Sequence, residues 1–283
     1  MKRHGDTEIR RHIDLFAHHR VTALSRQVLL AIDVGNTNIT LGVFGGSTLL
    51  RTWRLKTYRE ATSDELGLSL QGLFAHSDFR LNELQGVMIA SVVPPIDLAL
   101  GKAIHDYLHQ KPIWITPKSN LGIRNRYKHP EEVGADRLVN AVAAYHQVRS
   151  SVIVVDFGTA TTFDCVNANG DYLGGVIAPG LEIAHEALAT KTAKLPRTVF
   201  QIPAKALGQT TVESLQSGFF WGYVGLVKEI LTQLQKEMHL RPQLIITGGL
   251  APLIGPRLGL TVKIASDLTL QGLYLLWLKN KKA

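Results

Sequence analysis

Three aspartates stand where this chain can do chemistry. Asp33 closes the apolar run 28–32 and is followed by the tight polar turn Gly35-Asn36-Thr37-Asn38. Asp156 closes a second run of the same kind and is followed by Gly158-Thr159. Asp136 sits beside Arg137 at the head of a helical stretch. A turn of this type can cradle phosphate oxygens on its backbone N–H groups, helped by the hydroxyls of Thr37, Thr159 or Thr161. Phosphoryl transfer asks for phosphates held by metal and a nucleophile in line with them. In that chemistry Asp33 suits a divalent ion, directly or through water, and Asp156 a second cation. Asp136 suits the proton of an alcohol, and Arg137 a phosphate or carboxylate. A plainer reading stands beside each role: Asp33 and Asp156 as acceptors for the N–H groups of their own turns, and Asp136 as an acid that helps a helix start.

Other chemistries find no support. No GxxxxGK[ST] occurs, which excludes a P-loop kinase, and the glycine spacing departs from the GxGxxG of a hydride-transfer site. His105, His109, His129, His146 and His185 lie in no motif. Cys165 is the only cysteine, so an intrachain disulfide is impossible and a cysteine zinc site is disfavoured. Its apolar surroundings read as those of a buried small hydrophobe. The net charge of +8 suits an anionic ligand. It is spread along the chain without aromatic-basic interleaving or a DNA-reading helix, so it argues for no nucleic-acid partner. No apolar run is long enough to cross a bilayer.

The elements that must position these residues form two copies of one plan. Residues 28–33, 39–44 and 48–55 read as strands separated by Asn/Gly turns, an antiparallel meander. A helix over 62–75 follows, with Leu66, Leu70, Leu73 and Phe74 at helical spacing behind a Thr62/Ser63 cap. Then come a buried strand 86–91, a helix 95–109 opened by Pro94-Pro95, and a strand 112–116. Residues 117–133 read as mostly irregular, with Arg124, Arg126 and Lys128 around Tyr127. A helix runs from Gly134-Ala135-Asp136-Arg137 to about 147. The second copy has strands 151–156, 160–166 and 172–177, a helix from about 180 and a loop 191–209. A long helix 210–238 containing Gly218, Gly222 and Gly225 follows, then a strand 243–247 running into Gly248-Gly249 and a final helix 269–278. The three helix glycines cost roughly 1 kcal/mol each against alanine and imply close packing on that face. The expected fold is α/β, with two domains, 28–148 and 149–283, each opening with an antiparallel meander on a mixed sheet. A ligand cleft lies between them. Residues 1–27, with six Lys/Arg against three Asp/Glu, lack the apolar stretch of a secretory signal. They read as a flexible extension or as a start placed upstream of the true one.

The ordered set DVGNTNITLGVF at 33–44, SVVPP at 91–95, GADR at 134–137, DFGTATTFD at 156–164, YLGGVIAPG at 172–180, TGGLAPL at 247–253 and LTLQGL at 268–273 closely resembles type III pantothenate kinase. That family is a branch of the acetate and sugar kinase/Hsp70/actin superfamily; the resemblance covers about residues 28–276 and implies that both domains are actin-like (ribonuclease H-like). It implies ATP-dependent phosphorylation of the primary hydroxyl of pantothenate, the first step of coenzyme A synthesis, by a cytoplasmic homodimer without membrane or nucleic-acid partners. It implies an ATP phosphate hairpin made of Asp33, Val34, Gly35, Asn36, Thr37, Asn38, Ile39 and Thr40, with Mg2+ near Asp33. Thr159 becomes a further ATP contact, and Asp156 the ligand of a monovalent cation, K+ or NH4+. Gly134, Ala135, Asp136 and Arg137 become substrate contacts, with Asp136 as general base. Tyr127 lines the same pocket, Thr211 touches pantothenate, and the substrate site lies near the dimer interface. One departure is Thr210, where the family often has asparagine, which leaves the local turn open. Two readings remain beside this one: a kinase of another small alcohol, and a regulatory or accessory protein without turnover.

Overall fold

The computed structural model describes residues 28–239 and 241–281; the extension 1–27 lies outside them. Its first sheet opens with β1 (Val28–Val34), β2 (Asn38–Gly45) and β3 (Thr48–Lys56), then takes β4 (Leu84–Ser91) after helix α1 (Ser63–Ala75) and β5 (Pro112–Trp114) after α2 (Pro94–Leu108). The strand order is β3-β2-β1-β4-β5, with the meander antiparallel and β4 and β5 parallel.

The short strand β6 (Arg124–Asn125) and helix α3 (Ala135–Val148) lead into β7 (Val152–Phe157), β8 (Ala160–Val166) and β9 (Asp171–Pro179). Next come α4 (Leu181–Lys191), α5 (Thr211–Glu237), β10 (Gln243–Gly248), the single turn α6 (Ala251–Ile254), β11 (Lys263–Ile264) and α7 (Leu268–Asn280). The second sheet runs β11-β10-β7-β8-β9-β6. Its meander β7-β8-β9 and parallel neighbours β10 and β11 repeat the first sheet strand for strand. The repeat read from the two Asp turns is therefore a repeat of whole sheet plans.

Burial explains why β1 and β7 are almost wholly apolar: both faces are covered. Leu30, Ile32 and Val34 pack under α1 and α2, while Leu29 and Ala31 turn the other way. They meet α3, α7 and the Val152/Val154 face of β7, so α3 and α7 form a layer between the sheets. Ile153, Val155 and Phe157 face a third core with α5 and α6. The last helix in the sequence thus packs against β1, β2 and β4 of the first sheet as well as against α3.

Local signals set the ends. Thr62 and Glu65 form a capping box at α1, and Thr210 and Glu213 another at α5. The turn left open by Thr210 is therefore well specified. Residues 117–133 are mostly irregular, as expected, apart from two short pieces, one a strand and the other a turn of helix at Pro130–Glu132. Arg124 and Asn125 add β6 in parallel to β9, and Arg124 Nε donates to Asp171 Oδ1 at 2.6 Å. Hydrogen bonds from Asn167 first, and from Arg124 after it, hold the Asp171 carboxyl below its usual range.

Candidate active site

The two Asp turns meet across one cavity of about 390 Å3. Strand register builds it. Asp33 lies one residue before the end of β1, opposite Thr40, and Asp156 one before the end of β7, opposite Thr162 on one side and Thr247 on the other. Gly35 N–H donates to Asn38 O at 3.0 Å across the corner 35–38, and Gly158 N–H to Ala160 O at 3.2 Å across the tighter corner 158–160. The first corner is braced by Thr57, whose hydroxyl donates to Gly35 O at 2.7 Å. Thr37 and Thr159 share a hydroxyl–hydroxyl hydrogen bond of 2.8 Å, so the two corners touch. Gly248 faces them with φ +86°, and a Cβ there would lie 2.5 Å from Phe157 O and 2.6 Å from Asp156 Oδ1. Only glycine fits that approach.

Asp136 enters from the first turn of α3 and its Oδ1 accepts the Arg137 N–H at 2.7 Å. Burial raises the Asp136 carboxyl above its ordinary value. Asp33 is raised well above its own, by burial first and then by the charges of Asp136 and Asp156. Asp156 is pushed up to about 7, again by burial and then by Asp136, while Asn140 works against both. Asn140 Nδ2 donates to Asp156 Oδ2 at 2.9 Å and its own Oδ1 accepts from Thr269 at 2.8 Å, fixing one carboxylate oxygen. Three carboxylates from three elements therefore repel one another across a cleft, an arrangement completed by positive charge. No group of three His, Cys, Asp or Glu converges as a ready metal cage among the described residues. That suits an ion such as Mg2+, which takes one or two carboxylates and fills its shell with phosphate oxygens and water.

Asp33, Gly35, Asn36, Thr37, Asn38, Thr40, Asp136, Asp156 and Thr159 all line this cavity. Val34 and Ile39 do not: alternation turns their side chains into the core, leaving their backbone to shape the corner. Thr161, a candidate phosphate hydroxyl, is fully buried on the far face of β8, bonded to the Tyr223 hydroxyl, and Thr162 faces the cleft instead. Gly134 and Ala135 line a neighbouring cavity of about 430 Å3 that shares Val92 with the first. Tyr127 packs beside Tyr172, ring centroids 6.3 Å apart. Arg137 is buried, its Nε donating to Asp164 Oδ1 at 2.8 Å, so it lines neither cavity. Thr211 is exposed at the start of α5, away from both. Sequence reasoning passed over Arg54, the one Lys or Arg of the cleft lining among the described residues, and the acids Glu182 and Asp267. Cys165 is buried and its thiol is pushed up to about 12, leaving it inert, as its apolar strand suggested.

Two repeated meander sheets with acidic corners facing a shared cleft define the class: an actin-like α/β fold of the acetate and sugar kinase/Hsp70/actin type. Solved structures agree at the level of fold. A candidate Baf family transcriptional activator from Campylobacter jejuni superposes with TM-score 0.54 at 20% identity, over 89% of this chain and 98% of that one. A candidate N-acetylmannosamine kinase from Listeria monocytogenes superposes with TM-score 0.51 at 13% identity, over 90% of this chain and 100% of that one. Sequence goes further. The model of the type III pantothenate kinase family matches residues 29–233. Type III pantothenate kinases from Anaeromyxobacter sp. strain K and Geobacter sulfurreducens are each 46% identical over 90% of this chain and 100% of their own length. The chain belongs to the type III pantothenate kinase family. The reaction that goes with this family is phosphorylation of pantothenate in coenzyme A biosynthesis.

Proposed function

We propose that the cleft binds ATP with Mg2+ and that Asp136 is the general base for the primary hydroxyl of pantothenate. One observation carries this assignment: Asp33, Asp136 and Asp156 converge from β1, α3 and β7, burial raises all three carboxyls, and the charge of Asp136 raises the other two further. The corner 33–40 and Thr159 take the nucleotide phosphates, with Asp33 facing the divalent ion. That ion, when bound, neutralises phosphate charge and holds the transferring group. Asp136, raised in pKa yet held by the Arg137 N–H, takes up the hydroxyl proton as the O–P bond forms. Most of the acceleration comes from alignment and from charge neutralisation.

Asp156 holds the monovalent cation, K+ or NH4+: Asn140 occupies its Oδ2, and its Oδ1 faces the side-chain-free corner at Gly248. Gly134, Ala135, Arg137 and Tyr127 take the acceptor. Residues 28–148 and 149–283 act as the two domains, with α7 lent to the first sheet. Thr211 completes the acceptor site of a second subunit in a homodimer. The support is on α5, where Gly218, Gly222 and Gly225 have open space where a Cβ would be, beside exposed Trp221 and Val212. A cytoplasmic setting fits the buried free thiol and the lack, among the described residues, of any helix long and apolar enough to cross a membrane.

The test is pantothenate-dependent ATP consumption with Mg2+, in K+ or in Na+, with Asp136→Asn alongside. The variant should lose about 100-fold or more in kcat while calorimetry shows both substrates bound within about twofold of wild type. Turnover by Asp136→Asn within about twofold of wild type would rule out this base.

A further inference from the structure

We propose that Thr57 is a positioning residue whose hydroxyl holds the Gly35 carbonyl behind the phosphate corner and so aims the Asn36 N–H into the cleft, at an oxygen of the nucleotide's phosphates. The inference deepens the reading of residues 33–40 as the phosphate corner and rests on it.

Thr57 is the first residue after β3 and is buried. Alternation sets its side chain apart from the cleft. Arg54 lines the cavity, whereas Trp53 and Leu55 pack against the core under α1 and α2, on the face that Thr57 shares. From there, residues 57–59 grip three successive residues of the corner. The Thr57 hydroxyl donates to Gly35 O at 2.7 Å, the Thr57 N–H to Thr37 O at 3.0 Å, and Arg59 Nη2 to Asn36 Oδ1 at 3.2 Å. A planar trans peptide points its carbonyl and the next N–H in opposite directions. Drawing the Gly35 carbonyl back to Thr57 therefore turns the Asn36 N–H forward, to the side that Gly35, Asn36 and Thr37 line. Among the described residues, that N–H donates to no backbone carbonyl. An unspent backbone donor at such a corner is what an incoming phosphate oxygen takes up.

The repeat supplies a comparison. Asn38 opens β2 opposite Lys56, and Ala160 opens β8 opposite Pro179. Thr57 and Gly180, each the residue after its third strand, thus hold equivalent places behind the two corners. At the second corner that place has no room for a side chain. A Cβ on Gly180 would collide with Thr159 O and lie 2.7 Å from Gly158 O. The sheet plan closes there with backbone alone, so the buried hydroxyl behind the first corner is an addition to it. The corner 35–38 is one residue longer than the corner 158–160, and that extra peptide group is the one Thr57 orients.

The experiment measures kcat/KM for ATP, the KM for pantothenate and the urea midpoint in wild type, Thr57→Val, Thr57→Ser and Thr37→Val, all with Mg2+. Thr57→Val keeps the shape and removes the donor. It should lower kcat/KM for ATP about tenfold, the worth of one hydrogen bond to a charged group, with the KM for pantothenate within about twofold. Thr57→Ser keeps the hydroxyl and should hold kcat/KM for ATP within about twofold of wild type even where the lost methyl lowers the urea midpoint. A role in stability alone would follow the midpoint rather than the hydroxyl. If Thr57→Val fails to fold, Thr57→Ala decides, since it removes the same donor without placing a methyl against Gly35 O. An unchanged kcat/KM for ATP without the hydroxyl, while Thr37→Val lowers it, overturns the role of Thr57; so does a loss in Thr57→Ser as large as in Thr57→Val. No effect of either Thr37→Val or Thr57→Val, or no pantothenate turnover by wild type, overturns the reading of the corner and the inference with it.

Discussion

Raising the pH from about 5 to about 8 without divalent ions should weaken the fold, and Asp156 should account for much of the loss. Its carboxyl moves from an ordinary 3.8 to about 7 on folding, by burial and then by the charge of Asp136. The folded protein therefore keeps a proton that the unfolded chain has already released. Stability from this group is fully present below about pH 4 and is lost as pH rises through about 7. At about 1.4 kcal/mol per pH unit, the roughly two units between pH 5 and 7 set a ceiling of about 3 kcal/mol over this range. Asp156 lines an open cleft and is only partly buried, so solvent screening brings a working value to about 2 kcal/mol. Asp33 shifts in the same direction, and Asp164, pushed up to about 6 by burial, adds to the slope. With a urea dependence of about 3 kcal/mol per molar, 2 kcal/mol lowers the unfolding midpoint by about 0.7 M. The assay is urea unfolding in chelator at several pH values, repeated for Asp156→Asn and with Mg2+ plus ATP. Asp156→Asn should show a much shallower decline, and the bound cation should stabilise most at high pH. A wild-type midpoint that stays flat or rises over this range, with Asp156→Asn indistinguishable from it, would refute the reasoning.

Two further outcomes follow from the geometry. Arg54→Ala removes the one cation of the cleft lining and should raise the KM for ATP about five- to tenfold while leaving the KM for pantothenate in place; equal change in both would remove Arg54 from the nucleotide site. Gly222→Leu adds a side chain whose Cβ meets nothing within 4 Å in a single chain, so the fold should hold and sedimentation should show monomers, whereas an intact dimer would take α5 out of the interface.

The meanders were legible because apolar runs bounded by Gly and Asn turns specify hairpins locally, and both copies carried that pattern. The two-residue strands β6 and β11 have no periodicity to read, and they exist because β9 and β10 offer an unpaired edge. The placement of α7 was hidden for another reason. Its apolar residues say that it is buried, but only the tertiary structure says that it lies between the sheets. Thr161 was a readable miss: Asp156 pairs with Thr162, so alternation alone puts Thr161 on the other face. Arg54 looked like one more charge on the solvated strand carrying Arg51 and Lys56. Its register opposite Thr40, a residue of the phosphate hairpin, was the missing signal. Thr211 is different in kind, since nothing in one chain brings it to the cleft, and the role proposed for it depends on a second subunit.

The charge of the cleft and the charge of the chain point in opposite directions. The chain carries +8, yet the cleft is lined by Asp33, Asp136, Asp156, Glu182 and Asp267 against Arg54 alone. A polyanionic nucleotide entering such a site unaccompanied would meet repulsion from every wall. Two facts resolve this. Burial first, and then the neighbouring carboxylates, raise the proton affinity of Asp33 and Asp156, so the lining itself favours added positive charge. A metal-bound nucleotide brings that charge with it, so carboxylates that repel the free ligand bind the complex. With the cleft as the proposed nucleotide site, the acidic lining would select the metal-bound nucleotide over the free one, and the basic surplus on the rest of the surface would set long-range attraction without shaping the site.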